Sequence, residues 1–451
     1  MKKLLALVLA AAMVLSLAAC GSSDSGSSSG GSDSSTPASS DTTDDTTPAP
    51  SGSSGTATTG DVAYPNCNED GSMNLDTIAN YDPDYDYTQN PTYKVQYISS
   101  ASGPLYADAA NSYESWCATM NCQWMGFSSA EGDNDKYMTL LQQALDSGYE
   151  ILILDPDNTI WPSVIALLAD YPDTTWMPMM SPARDGAEGD GVPSGGNLIH
   201  PSVGFSHYDA GWQQCIKLFE WINETYPDAD WSEVGFIAMD YSLSPPLHER
   251  AEADYDYWVA NAPAEAQDNF FFADCSAAGI TVQAGIDVVG PIVSTNTDIK
   301  YWLVSGNVDD WAQGAATAVE SAGLGETSCV TTFGGSGAQA QWDAGTQNCW
   351  RYALNTATFL YAEPILGCCY AVANGWTDYE HIWPSWVNYN DCGTDGHQYS
   401  SYRLPTTWLT YDNYKQYFEW VDLYVHTDYY HYDDEVTVSL DDYTAIVTEI
   451  P

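Results

Sequence analysis

The side chains that could perform catalysis or bind a metal do not occur at the spacings that such chemistry needs. Residues 61–451 contain no HExxH, GxSxG or phosphate-loop pattern, and the glycine-rich run 334–337 lacks the lysine of a phosphate loop. The alternating acids of residues 82–86 resemble a calcium loop, but Tyr87 occupies the position where that loop needs glycine. We therefore expect no enzymatic activity, no bound metal and no cofactor.

Cysteine spacing indicates neither a zinc site nor a redox site, because no two cysteines form a CxxC pair. After Cys20 an even number remains, which is compatible with disulfides in an exported protein, although a large body does not need them to fold. Disulfides and buried free thiols therefore both remain open. The cysteines concerned are Cys67, Cys117, Cys122, Cys215, Cys275, Cys329, Cys349, Cys368, Cys369 and Cys392.

Aromatic side chains and a few arginines are better suited to binding a small molecule than to catalysis. The chain has 17 Trp and 32 Tyr, and planar apolar faces of this kind stack on the C–H surface of a sugar ring. Arg250 follows Pro245, Pro246 and His248 at the start of a predicted helix. Its rigid fork of donors suits fixed hydroxyl acceptors, and a surface salt bridge to one of the many acidic neighbours is the alternative.

The N-terminus has the architecture of a secretory signal. Lys2 and Lys3 precede a short apolar run that ends in Leu17-Ala18-Ala19-Cys20, which resembles the lipobox of a bacterial lipoprotein. This resemblance implies that Cys20 becomes the lipidated N-terminus and anchors the protein to the extracytoplasmic face of the cell membrane. The alternative is an ordinary signal peptide with an incidental cysteine.

Composition divides the rest of the chain into a tether and a globular body. Residues 21–60 are almost entirely small or polar, so they cannot bury enough apolar surface to fold and are predicted to be a disordered tether. The formal net charge of the chain is −51. A field of this sign excludes nucleic acid and anionic lipid as partners and disfavours an anionic ligand. We expect the body to be a monomer.

From residue 93 onward, short apolar runs alternate with amphipathic stretches, the pattern of a doubly wound parallel sheet. A first series has predicted strands at 93–98, 122–127, 150–154 and 175–180, with helices at 105–120, 133–147 and 159–170 between them. A second series has strands at 234–239, 269–272, 301–305 and 329–333, with helices at 210–223, 246–261, 277–290 and 310–322. The prediction is an α/β fold of two doubly wound parallel-sheet lobes joined by a hinge, with a ligand at the carboxyl ends of the strands.

The predicted organisation has four parts. They are a signal peptide at 1–20, a disordered linker and N-terminal extension at 21–90, an N-terminal lobe formed by 91–205 with 355–385, and a C-terminal lobe formed by 206–354 with 386–451.

Four segments, at 145–157, 203–211, 301–315 and 408–414, carry a family resemblance. In this order they resemble motifs of the type I periplasmic sugar-binding proteins of ABC importers, most closely the arabinose-binding branch alongside the ribose and galactose binders. The resemblance covers residues 93–447. It implies a two-lobed solute-binding protein that captures a small molecule, expected to be a sugar, and delivers it to an ABC permease.

The resemblance also implies which residues contact the ligand. Tyr106 takes the place of a stacking aromatic, although it could be the first core residue of its helix. Asp309 matches the acid of an Asn-Asp turn and could instead cap the following helix, while His207 at the lobe crossing could be structural. The full set of expected ligand-binding residues is Ser100, Tyr106, Arg184, Phe205, His207, Arg250 and Asp309.

The sequence departs from the family pattern at two places, and these departures affect the size and polarity that we expect of the ligand. Residues 334–337 and Ser181-Pro182 stand where acidic or amide side chains would hold sugar hydroxyls. The aromatic surplus therefore favours a ligand larger or less polar than a simple pentose, an oligosaccharide or a non-sugar. Two other functions remain open: a ligand sensor for a membrane signalling receptor, and a surface carbohydrate-binding protein or hydrolase.

Overall fold

The computed structural model describes residues 58–59, 62–186 and 196–425. The predicted signal peptide, the lipidation site Cys20 and most of the tether lie outside these residues. All described elements belong to one compact unit, residues 54–451.

Fourteen strands are found in the described part of the chain. They are β1 (Thr58–Thr59), β2 (Val62–Ala63), β3 (Lys94–Ser99), β4 (Gln123–Ser129), β5 (Ile151–Asp155), β6 (Thr175–Pro178), β7 (Ser202–Gly204), β8 (Val234–Asp240), β9 (Phe270–Asp274), β10 (Tyr301–Ser305), β11 (Ser328–Phe333), β12 (Trp350–Asn355), β13 (Ser401–Arg403) and β14 (Thr407–Leu409).

Ten α-helices occur in the same residues. They are α1 (Pro104–Thr119), α2 (Asn134–Asp146), α3 (Trp161–Leu168), α4 (His207–Thr225), α5 (Pro245–Asn261), α6 (Val282–Thr295), α7 (Asp309–Ser321), α8 (Ser336–Asp343), α9 (Ala362–Ala373) and α10 (Tyr414–Val425).

The first sheet is fully parallel, with the strand order β4-β3-β5-β6. Its central strand β5 is a short aliphatic run that is buried along its whole length, as expected for a strand covered on both faces. Helices α2 and α3 pack on one face of this sheet, and α1 and α9 pack on the other. The Asp133 side chain caps α2 by accepting a hydrogen bond from the Lys136 backbone N–H.

The second sheet has the order β14-β12-β11-β10-β8-β9, in which only β14 is antiparallel to its neighbour. Helices α4 and α5 cover one face, and α6 and α7 cover the other. The two sheets confirm the prediction of an α/β fold with two doubly wound parallel-sheet lobes. None of the described helices is long and apolar enough to span a membrane.

The chain crosses between the two sheets through β7, through the residues before α9 and through β13. Strands β7 and β13 pair in parallel and form a small sheet of their own. The final helix α10 then returns to contact α1 of the first lobe. The same helix contacts the second lobe through Tyr414, whose hydroxyl donates to Asp343 at 2.9 Å, and the predicted lobe boundaries remain a prediction.

Residues 63–90 pack against the first lobe and contribute Ile78, Tyr85 and Tyr87 to its core. The carbonyl oxygen of Ala79 lies so close to α9 that a Cβ atom at Gly367 would sit 1.6 Å from it. A glycine is therefore required there, and the segment is an integral layer of the lobe.

One predicted helix is displaced. The sequence predicts it at 277–290, whereas α6 begins at Val282 and continues to Thr295. The Thr281 side chain accepts from the Ala284 backbone N–H and fixes the true start, and Pro291 is accommodated inside the helix.

Candidate ligand-binding cleft

The carboxyl ends of the strands in both sheets converge on one polar region next to the paired crossing strands β7 and β13. Asp155 at the end of β5 and Arg250 on α5 both act electrostatically on the Tyr361 phenol, which lies just before α9. A Cβ atom at Gly204 of β7 would lie 3.2 Å from the Tyr361 hydroxyl. This region therefore joins the first lobe, the second lobe and the crossing.

A cavity of about 40 Å³ lies in this region. Its walls come from the segment after β6, from the crossing strands, from the starts of α4 and α5, and from the loop before β13. The lining residues are Met180, Pro182, Arg184, Ser202, Val203, Gly204, Phe205, Ser206, His207, Glu249, Asn388, Asp391, Ser401, Tyr402 and Arg403.

Two ion pairs balance the charge of this cavity. Arg184 donates from Nη1 to Asp391 at 2.8 Å, and Arg403 approaches Asp209 at 3.4 Å. The Arg403 Nε and the Asp209 Oδ1 are buried and have no hydrogen-bond partner among the described residues. Unpaired buried donors and acceptors are costly, so these two atoms are suited to a polar ligand or water.

Glu249 supplies a further acceptor. It is only 6 % exposed, and burial raises the pKa of its carboxyl to about 7. The cavity wall therefore carries a carboxyl group that can donate or accept a hydrogen bond near neutral pH.

The Arg250 guanidinium forms hydrogen bonds and ring contacts with other residues of the protein. Its Nη1 donates to the Asn307 carbonyl oxygen, and its Nε and Nη2 both lie within 3.2 Å of His207 Nδ1. The guanidinium lies over the rings of Phe333 and Phe205, at 4.6 Å and 5.6 Å from their centroids. The structure thus brings Phe205, His207 and Arg250 together. The N–H groups of Arg250 form hydrogen bonds within the protein.

The protonation of His207 follows from this arrangement. Burial, together with the charges of Arg250, Arg184 and Arg403, holds the pKa of His207 well below its usual range. The ring is therefore neutral, and because Nδ1 faces the Arg250 donors, its proton belongs on Nε2. Three of the four arginines in the chain surround this one ring.

A network of buried polar side chains surrounds Asn307, whose carbonyl oxygen accepts the hydrogen bond from Arg250. Asn307 adopts a left-handed backbone conformation, with φ of 58°, and its Nδ2 donates to the Met239 carbonyl oxygen at 2.6 Å. Gln214 donates to Asn307 Oδ1 at 2.9 Å. Burial raises the pKa of the nearby Asp254 to about 8, so this carboxyl is largely protonated at neutral pH. The network fixes the carbonyl group that receives the Arg250 hydrogen bond.

On the side of the first lobe, Asp155 is the central polar group. It is fully buried at the end of β5, where the Ser99 hydroxyl donates to it at 3.0 Å, and burial raises its pKa to about 7. Ser100 is fixed through its backbone, whose N–H donates to the Asp155 carbonyl at 2.7 Å. Burial and the Asp155 charge raise the pKa of the half-buried Tyr106 phenol.

Sequence reasoning missed His248 as a candidate site residue. It lies at the start of α5, is 33 % exposed, and its Nδ1 is 2.9 Å from Asp240 Oδ1 at the carboxyl end of β8. Burial opposes its positive charge, but the hydrogen bond to Asp240 and the nearby acids outweigh burial and raise its pKa. The available signal was the run His248-Glu249-Arg250, whose three polar residues follow two prolines at a helix start.

Asp309 does not face the cavity. Its carboxylate accepts hydrogen bonds from the backbone N–H groups of Gly335 and Gly337 at 3.0 Å and lies near the Ser336 hydroxyl at 3.2 Å. The side chain therefore caps the start of α8, not of its own helix α7, whose N-cap is Val308.

Neither the acidic loop nor the cysteines form a second site in the described residues. Asp82 accepts hydrogen bonds from the backbone N–H groups of Asn66 and Asp84 at 3.0 and 2.9 Å, which turns its carboxylate toward the chain. No group of three or more His, Cys, Asp or Glu within the described ranges could hold a metal ion. The ten cysteines after Cys20 are free thiols in this structure.

Comparison with solved structures identifies the fold, whereas no protein family and no curated protein matches the sequence. A sugar-binding protein of a sugar ABC transporter from Bacillus halodurans is 14 % identical, with a TM-score of 0.54, and the match covers 74 % of this chain and 100 % of that one. An arabinose-binding protein from Geobacillus stearothermophilus is 12 % identical, with a TM-score of 0.55 and coverage of 74 % and 99 %.

A third similar structure is a periplasmic solute-binding protein of an ABC transporter from Actinobacillus succinogenes with bound D-allose. It is 13 % identical, with a TM-score of 0.52, and the match covers 72 % of this chain and 100 % of that one. The chain therefore has the type I periplasmic binding protein fold.

Proposed function

We propose that this protein is an extracytoplasmic solute-binding protein that encloses a neutral, polyhydroxylated small molecule, a sugar or polyol, between its two lobes. The observation that carries this proposal is the cavity beside the crossing strands, whose walls come from both lobes and hold both donors and acceptors. Its volume of about 40 Å³ has room for a few water molecules, so a sugar enters when the lobes separate. Arg184 and Arg403 each face a carboxylate, which neutralises these two guanidinium groups. Hydroxyl groups can pair with either kind of wall atom.

The roles of individual residues follow from their contacts. Phe205 supplies an apolar face of the cavity wall, and His207, Glu249, Arg184 and Arg403 supply polar atoms. We propose that Tyr106, which lies outside the cavity lining, adds a second apolar face when ligand is bound. Arg250 acts as a positioning residue that orients His207. Ser100 and Asp309 hold the backbone of their loops, which sets the shape of the cleft.

Closure of the lobes would give a membrane partner a surface that differs between the empty and loaded states. We propose an ABC permease as that partner, in line with the similar structures from Bacillus halodurans and Actinobacillus succinogenes, which are solute-binding components of ABC transporters. Lipidation of Cys20 and the tether of residues 21–60 would keep the body near that permease. A receptor that senses the closed state would use the same cleft.

The test is thermal unfolding of the purified protein with a panel of sugars, polyols, amino acids and nucleosides. A ligand at a hundredfold excess over its dissociation constant stabilises the folded state by about 2.7 kcal/mol. We expect a rise in the midpoint with a neutral polyhydroxylated compound, weakened about tenfold in affinity by Glu249→Gln. The control Glu326→Gln changes an exposed acid just before β11 and should leave affinity unchanged.

A rise with amino acids or nucleosides alone would contradict the sugar or polyol assignment. Equal affinity of the Glu249→Gln variant and the unmodified protein would contradict the placement of the site.

A further inference from the structure

In the described part of the chain, the second sheet ends in a strand with an uncovered edge. Among these residues, β9 pairs with β8 alone, in parallel register. The Phe236 N–H donates to the Asn269 carbonyl, and the Cys275 N–H donates to the Asp240 carbonyl, so the odd-numbered residues of this segment bond to β8. Phe270, Phe272 and Asp274 consequently turn their backbone N–H and C=O groups outward. These groups are a template for another strand.

Beside this edge lies an apolar surface, here termed the β9 patch, formed by Tyr255, Val259, Phe270 and Phe272. Tyr255, Val259 and Phe272 are 44, 50 and 47 % exposed. The ring centroids of Tyr255 and Phe272 are 5.7 Å apart, and those of Phe270 and Phe272 are 5.0 Å apart. The patch is therefore continuous from α5 to the edge strand, and exposed clusters of this kind mark interaction surfaces.

Exposed acids dominate the charge around the β9 patch, where His248 at the start of α5 lies 3.6 Å from Glu252. Five exposed acids lie on the same two elements or on the turn between them, and no lysine or arginine occurs between residues 251 and 299. Two of these acids, Asp268 and Asp274, flank the strand itself. The acids are Glu252, Asp256, Glu265, Asp268 and Asp274.

We propose that the β9 edge and the β9 patch form a docking site for an extended, basic segment of a partner protein, which adds to the second sheet as a strand. Main-chain hydrogen bonds to the outward groups of Phe270 and Phe272 would supply affinity. Apolar side chains on one face of the segment would cover the patch, and lysines or arginines would meet the surrounding acids.

A second copy of this chain fits the site less well. Pairing two β9 edges would bring the acids of both copies together, and like charges across such an interface are costly. The β9 patch shares no residue with the cavity lining, so docking there is independent of the ligand of the cleft.

The test uses a fluorescent eight-residue peptide of alternating valine and lysine, titrated with the full-length protein at physiological salt and followed by anisotropy. A second peptide of equal charge has proline in place of two valines, which removes backbone donors. We expect the first peptide to bind at least tenfold more tightly than the second. Phe272→Asp should weaken binding of the first peptide by about tenfold or more.

Simple attraction between a basic peptide and an acidic protein makes the opposite prediction, since Phe272→Asp adds negative charge. The matched control is Tyr411→Asp, which changes a residue 38 % exposed just after β14 at the other edge of the same sheet. Thermal midpoints establish that both variants fold. Equal binding of the two peptides, or unweakened binding to Phe272→Asp, would overturn the proposal, as would a dimer in sedimentation that this substitution dissociates.

Discussion

Burial, more than charge pairing, sets the protonation of the acids around the cleft. Asp155, Asp209, Glu249 and Asp254 all have a raised pKa, and burial is the first cause in each case. Arg403 counteracts burial at Asp209, yet the pKa of that acid still rises to about 6. The cleft is therefore closer to neutral than the formal charge of −51 suggests, which suits a neutral ligand.

The first residue-scale prediction concerns Asp155. Its folded-state pKa of about 7 exceeds the ordinary value of 3.8, so the stability that it contributes is complete at low pH and is lost as pH rises through 7. Asp155→Asn keeps the shape and cannot ionise. We expect its stability relative to the unmodified protein to increase between pH 5 and pH 8, by at most about 3 kcal/mol, because about two pH units of that interval lie below the folded-state pKa. Urea unfolding at both pH values measures the difference.

Because Glu249 and Asp254 titrate in both proteins, the difference between them isolates Asp155. An identical pH dependence of the two proteins would contradict the assignment.

The second residue-scale prediction concerns Arg250. A lysine has one point charge and cannot bond Asn307 and His207 at once while lying flat between Phe205 and Phe333. We expect Arg250→Lys to lower the free energy of unfolding by about 3 kcal/mol, measured by urea denaturation. The matched substitution Arg351→Lys should cost less than about 1 kcal/mol, because the partly buried Arg351 stacks on Trp221 and its Nε makes one hydrogen bond of 3.3 Å, to the Ser328 carbonyl oxygen. Equal costs for the two substitutions would argue against the positioning role of Arg250.

At the scale of elements, the backbones of helices α4 and α5 lie so close together that their packing determines the position of a residue beside the cleft. A Cβ atom at Gly211 would lie 2.1 Å from the Arg250 carbonyl oxygen. Since a backbone atom cannot move aside as a flexible side chain can, the two helices would have to separate. The position of Arg250 thus depends on a glycine that touches no ligand.

We therefore expect Gly211→Ala to destabilise the protein by about 3 kcal/mol and to weaken ligand binding at the same time. The control is Gly290→Ala in α6, where an added Cβ atom would meet no atom within 4 Å. That substitution should change the free energy of unfolding by less than about 1 kcal/mol, because the gain in helix propensity is opposed by the restriction that Pro291 places on a preceding residue with a Cβ atom. Thermal unfolding measures both, and a neutral effect of Gly211→Ala would show that α4 and α5 are less tightly packed than described.

The elements that sequence reasoning found are those with a clear period. Strands such as β5 and amphipathic helices such as α2 lie within a few residues of their predicted positions. The prediction ended its second series at β11 and missed α9, in which residues 362–371 are all buried. A helix buried on every side has no polar face, so its sequence carries no amphipathic pattern.

The cleft could be predicted only in part, for a related reason. The sequence predicts Arg184, Phe205 and His207 as ligand-binding residues, and all three line the cavity. Arg403 and Asp391 were not selected, because only the return of the chain through β13 brings them next to residues about 200 positions earlier. Such long-range proximity leaves no local signal in a single sequence.

At the scale of the whole molecule, charge is the dominant departure from an ordinary domain. With 62 acidic and 11 basic residues, like charges repel across the folded body and oppose its compactness. Four of the basic residues are arginines, and three of these lie at the cleft. The outer surface therefore has even fewer cations to offset its acids.

This distribution predicts that salt stabilises the protein. Raising ionic strength from about 0.01 M to 1 M shortens the Debye length from about 30 Å to 3 Å and screens repulsion between surface acids, whereas the buried pairs of the cleft are screened much less. We expect the thermal midpoint to rise by several degrees between low and high sodium chloride. Potassium chloride at equal ionic strength should give the same rise, because screening does not depend on the identity of the cation. A midpoint that falls with salt would mean that surface ion pairs, not self-repulsion, dominate the electrostatic free energy of this fold.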